Sequence, residues 1–319
     1  MAEAEEGRSC PLAYRYDPGS LCRNHDEVAE DVLYIVGGLY GNLFAYEEVA
    51  RMALAEERHG KRVRLVFNGD FNWFNADDEW FRAVNRRVLK HTATLGNVEY
   101  ELANPGDGAG CGCAYPGFVD QVVVERSNRI MERMQAVAVR HPDLRAQLSG
   151  LPRYRCLIFG GLKILVLHGD PEALAGWGLS RETLTEEGVG RLKEWFRQTG
   201  ADAILCTHTC LPVLWSGEVD GRIRLLANNG SAGMGNLAGD PRGLITRVAP
   251  SPAGTGVVAG IAGAGLYLDL LPVAFDLSSW LAAFDRLWLA GSPAALSYRQ
   301  RILEGTRLQP EQLILHHSP

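Results

Sequence analysis

Short hydrophobic runs that end in polar residues recur along the chain, and they predict buried strands. Four of these runs place an Asp, Asn or His just past the strand. They are Phe67-Asn68-Gly69-Asp70, Leu95-Gly96-Asn97, Leu165-Val166-Leu167-His168-Gly169-Asp170 and Ile204-Leu205-Cys206-Thr207-His208. Open α/β proteins bind ligands at the carboxyl edge of the sheet. If the four strands lie side by side, we expect their polar ends to meet there.

Strands and helices alternate in the first part of the chain, which predicts a layered α/β domain. Apolar spacing predicts strands over residues 33–36, 63–67 and 203–207, and a hairpin over 155–167. It predicts helices over residues 44–57, 77–91, 119–139, 144–148 and 182–198. Short β segments follow between residues 213 and 270.

Three regions follow from these patterns. Residues 1–30 mix charge, Pro and Gly, and predict an irregular N-terminal arm. Residues 31–275 form the main domain, and residues 276–319 a helical tail packed on the core, with Trp280, Phe284, Leu287 and Trp288 covering it. Within the domain, residues 104–117 are too rich in Gly for regular structure. A loop of this length is more often functional than idle.

Composition narrows the function classes. The chain has 319 residues, 46% hydrophobic and 22% charged, which is typical of a soluble globular protein. A net charge of -6 argues against a general nucleic-acid or anionic-membrane binder. No apolar run approaches a membrane span, and the acidic N-terminus does not resemble a signal peptide. Seven scattered cysteines favour a reducing, cytoplasmic location, with thiols free or bound to metal.

Asp70, Asn97, His168 and His208 together form an oxygen and nitrogen donor set that suits a divalent transition metal. Each has a structural alternative, because Gly-Asp and Gly-Asn pairs occur in turns and a single His often belongs to a core. Cys111 and Cys113, in the Gly-rich loop, could supply further ligands. The favoured interpretation is that they are small, partly buried thiols.

Read in order, these segments resemble the calcineurin-like metallophosphoesterases. The matching motifs are Gly69-Asp70, Gly96-Asn97-Val98-Glu99, His168-Gly169, Thr207-His208-Thr209-Cys210 and Asn229-Gly230-Ser231. The resemblance covers roughly residues 31–235. It implies an α/β fold, a four-layer αββα sandwich of two mixed sheets, with the site at the carboxyl edge of the strands. It also implies metal-dependent hydrolysis of a phosphomonoester or phosphodiester.

The departures from the family pattern change the expected site. Gly38 and Tyr40 stand where the first motif supplies two metal ligands, and Cys210 replaces a third. The resemblance therefore implies one Zn, Mn or Fe ion on Asp70, Asn97, His168 and His208, with Cys210 as a further candidate ligand. Val98 replaces the usual general acid.

Proton delivery would then need Tyr40, Glu99 or a water. Asn97 would also contact phosphate. Asn229 is a candidate phosphate ligand, with a simple hairpin turn as the alternative.

Two functions remain open. The first is a mononuclear metal-dependent hydrolase acting on a small phosphorylated substrate. The second is a degenerate relative that binds a metal or phosphorylated ligand as a sensor or scaffold. Phe71, Trp73 and Phe74, just after Asp70, could stack on a substrate ring, although packing in the core or at its rim is favoured.

Overall fold

Two six-stranded sheets form the centre of the structure, a computed structural model that describes residues 6–105, 108–184 and 186–315. The strands are β1 (Asp26–Glu27), β2 (Val32–Val36), β3 (Val63–Phe67), β4 (Thr92–Ala93), β5 (Tyr154–Phe159), β6 (Leu162–Leu167), β7 (Ala203–Cys206), β8 (Val213–Val219), β9 (Arg222–Asn228), β10 (Gly243–Ala249), β11 (Ala259–Gly263) and β12 (Leu266–Val273). The helices are α1 (Leu43–Arg58), α2 (Asp78–Val88), α3 (Asn97–Ala103), α4 (Gln121–Ala138), α5 (Pro142–Ser149), α6 (Glu186–Thr199), α7 (Leu277–Leu287) and α8 (Pro293–Glu304).

Both sheets mix parallel and antiparallel pairs. The first has the strand order β1-β5-β6-β7-β9-β8, and the second has the order β11-β12-β10-β2-β3-β4. In the first sheet β6, β7 and β9 are parallel neighbours, and in the second β2, β3 and β4 are. The predicted hairpin is confirmed, because β5 and β6 pair in antiparallel register.

The sheets pack face to face and helices cover their outer faces. Leu33 and Val66 of the second sheet share one core with Val166 and Leu205 of the first. Side chains of α1 and α2 cover the outside of the second sheet, and side chains of α6 cover the outside of the first. The predicted four-layer αββα sandwich is therefore confirmed. Strands in this sandwich are covered on both faces, by the other sheet on one side and by helices on the other. This accounts for their continuous apolar runs, whose burial stabilises the fold.

The parallel registers bring the polar strand ends to one edge. Val36 of β2 lies beside Phe67 of β3, and Val166 of β6 lies beside Leu205 of β7. The chain that leaves β3, β6 and β7 therefore emerges at the same edge of the sandwich.

Two predicted elements differ from the structure. Asn97 does not end a long strand, since β4 is only two residues long and Asn97 begins α3. The cause is local, because the Glu99 carboxylate accepts a hydrogen bond from the Gly96 amide and caps this helix. The helix predicted over residues 182–198 begins at Glu186 instead, after a turn in which Ser180 Oγ accepts the Thr183 amide.

The described parts of the N-terminal arm and the C-terminal tail pack on this sandwich. The tail forms α7 and α8, and Trp280, Phe284, Leu287 and Trp288 are buried as predicted. In the arm, β1 pairs with β5 at the edge of the first sheet, and Tyr14 is fully buried. The predictions for residues 1–5, 106–107 and 316–319 lie outside the described residues. Within the described part of the chain, no helix has the length and apolar character needed to cross a membrane.

Candidate metal centre

Three of the predicted ligands meet at the sheet edge. Asp70, His168 and His208 place one ligand atom each within 4.8 Å of one another, the group of this kind found among the described residues. His168 Nε2 lies 3.3 Å from Asp70 Oδ1 and 3.1 Å from His208 Nδ1. Asn97 completes the set, because its Oδ1 lies 3.1 Å from the same His168 nitrogen. All four side chains are buried.

Two glycines allow these side chains to come so close. Gly69 has φ +95°, a conformation that only glycine adopts easily, and a Cβ there would lie 2.5 Å from Gly96 and 2.6 Å from His168 Nδ1. A Cβ on Gly96 would lie 2.3 Å from Asp70 Oδ1. The Gly-Asp and Gly-Asn pairs therefore reflect a steric requirement of the site.

Backbone carbonyls fix which atom each side chain turns inward. His168 Nδ1 lies 2.9 Å from Asn68 O, and His208 Nε2 lies 3.0 Å from Cys113 O. Each of these nitrogens donates, because a carbonyl can only accept, and so each neutral ring turns a lone pair toward the centre. The Asn97 amide donates to Cys111 O at 2.9 Å, which leaves its oxygen facing inward. Metal-bound histidines are oriented by such outer contacts.

Asp70 Oδ1, Asn97 Oδ1, His168 Nε2 and His208 Nδ1 converge on one point. When both rings are neutral all four atoms are acceptors, so either a metal cation or a proton on His168 must balance them. The donor set and its geometry therefore fit a divalent transition metal.

The electrostatics of the cluster agree with this fit. Burial disfavours the Asp70 carboxylate, but the charge and hydrogen bond of His168 outweigh it and lower the pKa of Asp70. Burial likewise opposes charge on His168, whose pKa Asp70 nevertheless raises. Burial and the neighbouring His168 lower the pKa of His208 to about 3. His208 is therefore neutral near pH 7, with its lone pair available to a metal.

Comparisons with known proteins identify the fold. No protein-family model matches the sequence, and no curated protein matches it either. A metallophosphoesterase from Sphaerobacter thermophilus superposes with a TM-score of 0.53 at 18% identity, covering 89% of this chain and 100% of that one. A hypothetical protein from Pyrococcus horikoshii superposes with a TM-score of 0.56 at 13% identity, covering 87% of this chain and 99% of that one. The chain has the metallophosphoesterase fold.

The Gly-rich loop covers this edge of the metallophosphoesterase fold mainly with backbone, although Cys113 Sγ also lies 3.7 Å from the Asn97 amide nitrogen. The carbonyls of Cys111 and Cys113 accept the hydrogen bonds from Asn97 and His208 described above. The Cys111 sulfur instead lies 3.4 Å from the Cys113 amide nitrogen, within its own loop. Trp177 donates its indole N–H to the Cys113 carbonyl at 2.9 Å and ties the loop down. The loop therefore contacts Asn97 and His208 on the sides that face away from the other ligand atoms.

Cys210 and Tyr40 pair with each other beside the three-residue cluster. The Cys210 thiol lies 3.2 Å from the carbonyl of His208, as its donor, and also lies against the Tyr40 hydroxyl. Burial raises the pKa of both groups, so both keep their protons near pH 7. Cys210 is not part of the close cluster of ligand atoms, and its role as a ligand stays a prediction.

Glu99 lies behind the site, which does not support its expected role in proton delivery. Its carboxylate is fully buried and accepts the backbone amides of Asp70, Asn72 and Gly96. Burial, together with the charge of Asp70, raises the pKa of Glu99 to about 7. Its contacts make it a positioning residue for the turn that carries Asp70.

Asn229 is also turned away from the site. Its amide nitrogen donates to the carbonyls of Gly37 and Leu244, so neither hydrogen is available to phosphate. Its buried Oδ1 has no partner among the described residues, and an oxygen does not attract an anion. The Asn229 side chain therefore joins the ends of β2 and β9 to β10, and its contact with phosphate stays a prediction.

A cavity of about 180 Å³ opens onto Asp70, Asn97 and His208. Its walls are largely aromatic, formed by Tyr40, Trp73, Tyr115, Trp177 and Tyr298. Phe71 and Phe74 are fully buried in the core as favoured, whereas Trp73 reaches the cavity. Arg301 lines the same cavity. Sequence reasoning missed Trp177, Tyr298 and Arg301, because only the tertiary fold brings α8 and the segment after β6 to this edge.

Proposed function

We propose that the protein is a metal-dependent hydrolase of phosphoric esters with a single divalent Zn, Mn or Fe ion. The observation that carries the proposal is the convergence of four ligand atoms, three of which are oriented by hydrogen bonds from the far side of the same side chain. A protein named a metallophosphoesterase shares this fold, which supports the proposal. Asp70, Asn97, His168 and His208 would hold the ion.

The chemistry divides between the ion and the chain. A bound divalent ion polarises a phosphoryl oxygen and activates a water molecule. The chain's residues hold that arrangement rigid, because buried hydrogen bonds to Asn68, Cys111 and Cys113 fix the histidines and Asn97. Cys113 of the loop and Trp177 line the cavity beside the proposed ligands, and any exclusion of water there would strengthen electrostatic interactions inside it.

Tyr40 is the proposed proton donor to the leaving oxygen. Its hydroxyl is protonated near pH 7 and its side chain lines the cavity beside Asp70. It is a weak acid, since burial raises its pKa further.

The first test measures metal content. We expect wild-type protein, purified without metal-affinity resin, to carry about one Zn, Mn or Fe per chain. His208→Ala should lose most of it, because one of four ligands is removed. His25→Ala is the matched control, since His25 is exposed on the N-terminal arm and should leave metal content unchanged.

Turnover then separates the two functions left open by the sequence. Metal-loaded wild type should hydrolyse an aryl phosphate, and His208→Ala should not, while its circular dichroism spectrum stays native. A full complement of metal with no turnover on any phosphoester would instead support a binding protein. Absence of metal after incubation with Mn²⁺ and Zn²⁺ would refute the proposal.

A further inference from the structure

Arg301 is a positive charge within the cavity that no acidic side chain neutralises. Its Nε donates to the carbonyl of Gly235, and its Nη2 donates to the carbonyl of Cys210. In the part of the chain that the structure describes, no carboxylate lies within ion-pair distance of it. By contrast, Arg299 on the same helix pairs with Asp285 at 2.8 Å.

The backbone contacts hold this guanidinium in place. Cys210 lies two residues after His208, so the bond from Arg301 attaches α8 to the segment that carries a proposed ligand. A guanidinium fixed by neutral carbonyls keeps its full charge, which suits an oxyanion such as phosphate, and its Nη1 group is not engaged by these two bonds. Arg301 therefore provides positive charge in the cavity that Asp70, Asn97 and His208 also line.

The walls of the cavity favour a ring. Trp177 lies edge-to-face against His208 with ring centroids 5.5 Å apart, and Tyr298 packs edge-to-face on Trp73 at 6.3 Å. A volume of about 180 Å³ is smaller than the roughly 300–1,000 Å³ of pockets for drug-sized ligands. The cavity therefore suits a compact ligand with one planar group.

The same walls lack a strong acid. Val98 is the residue beside Asn97 in the lining, and it carries no proton to donate. The acidic groups that Tyr40, Tyr115 and Tyr298 bring to the wall are phenol hydroxyls, which are weak acids at neutral pH. Ester bonds whose leaving oxygen is stable as an anion need the least help from an acid.

We propose that Arg301 and the aromatic walls form a subsite for a compact aryl phosphomonoester. Arg301 binds the phosphoryl oxygens, and the aromatic walls hold the ring. This inference rests on the proposed function and names its substrate class. In the reaction, the bond from water oxygen to phosphorus forms as the bond from phosphorus to the aryl oxygen breaks. The electron pair leaves with the aryl oxygen, which takes its proton from the Tyr40 hydroxyl, and the proton released by the water restores Tyr40.

The anion part is tested with inorganic phosphate, by calorimetric titration of protein with and without bound metal. We expect Arg301→Met to weaken phosphate binding by roughly tenfold or more. Arg301→Lys keeps the charge without the fork and should fall between Arg301→Met and wild type. Arg299→Met is the matched control, since it removes an arginine of the same helix that lies outside the cavity lining.

The thermal unfolding midpoint of each variant checks that it is folded, because Arg301 also bonds two carbonyls. Equal phosphate affinity in folded Arg301→Met and Arg299→Met would overturn the role of Arg301, whatever the metal content. Wild-type protein that binds no phosphate, with or without metal, would overturn it as well.

The ring part is tested by comparing phenyl phosphate with ethyl phosphate on metal-loaded wild type. We expect kcat/KM to be at least about tenfold higher for phenyl phosphate and to rise across substituted phenyl phosphates as the leaving phenol becomes more acidic. Trp177→Leu should raise KM for phenyl phosphate more than for ethyl phosphate.

Equal rates for the two esters would overturn the ring subsite while leaving the hydrolase intact. A protein without metal or turnover refutes the proposed function and the aryl substrate with it, and phosphate binding still decides the role of Arg301.

Discussion

At the scale of single residues, the site depends on what lies directly behind each ligand. Asn68 and Cys113 offer carbonyls to the outer nitrogens of His168 and His208, so each ring has one available lone pair. The ligand residues were predictable because each follows an apolar run. The hydrogen bonds that orient them were not predictable, since the acceptors are backbone carbonyls, which every residue has.

Gly69→Ala is expected to damage both stability and metal binding. Its Cβ would require a displacement of Gly96 or His168, and φ +95° adds backbone strain. The steric displacement should lower the free energy of unfolding by about 1–3 kcal/mol, in addition to the cost of placing Ala at a positive φ. Urea denaturation and metal analysis measure the two effects.

Gly60→Ala provides the control, because Gly60 has a similar φ of +78° and a Cβ there would meet nothing within 4 Å. The Gly60→Ala variant should lose only the stability that Ala at a positive φ costs, and it should keep its metal. Equal losses in the two variants would mean that the contact of Gly69 with Gly96 and His168 is not restrictive.

At the scale of elements, the sequence predicted long periodic segments well and short ones poorly. The strands β3 and β6 and the helix α4 match closely, because each has a clear apolar period. Leu95 misled the prediction near Asn97, since it is buried in a loop between β4 and α3. The hydrogen bond from the Gly96 amide to Glu99 determines the local structure here, and the pattern of apolar residues gives no information about it.

The Gly-rich loop gives a prediction that separates its backbone from its thiols. Replacing Cys111 and Cys113 together by Ala should leave about one metal per chain, because carbonyl oxygens make the short contacts to Asn97 and His208, and the Cys113 thiol only a longer one of 3.7 Å to Asn97. Some loss of stability is expected from two small buried cavities. Metal analysis at equal folded fraction checks the result.

Loss of the metal in this folded double variant would restore the thiolate interpretation of the two cysteines. Cys22→Ala is a suitable control, since Cys22 is also buried but belongs to the core beneath α6.

At the scale of the whole molecule, the site lies where the two sheets meet. Asp70 follows β3 of the second sheet, whereas His168 and His208 follow β6 and β7 of the first. Asn68 spans the junction by donating its side-chain amide to the Leu167 carbonyl. The motif order indicated this fold through family resemblance. The contribution of α8 was not predictable, because Tyr298 and Arg301 stand far from every motif in the chain.

Asn229 is a second clasp across this junction, and its replacement tests the difference between a structural and a binding role. Asn229→Ala removes the side-chain donor to the Leu244 carbonyl and one of two donors to the Gly37 carbonyl, which keeps the Ala232 amide. We expect the free energy of unfolding to fall by about 1–3 kcal/mol, the cost of one unsatisfied buried group. The phosphate affinity of the folded fraction should stay close to wild type, because neither amide hydrogen faces the cavity.

Asn24→Ala, at an exposed position of the arm, should change neither quantity. A stable Asn229→Ala variant with weakened phosphate binding would return Asn229 to the ligand-binding site and contradict its role in joining the sheets.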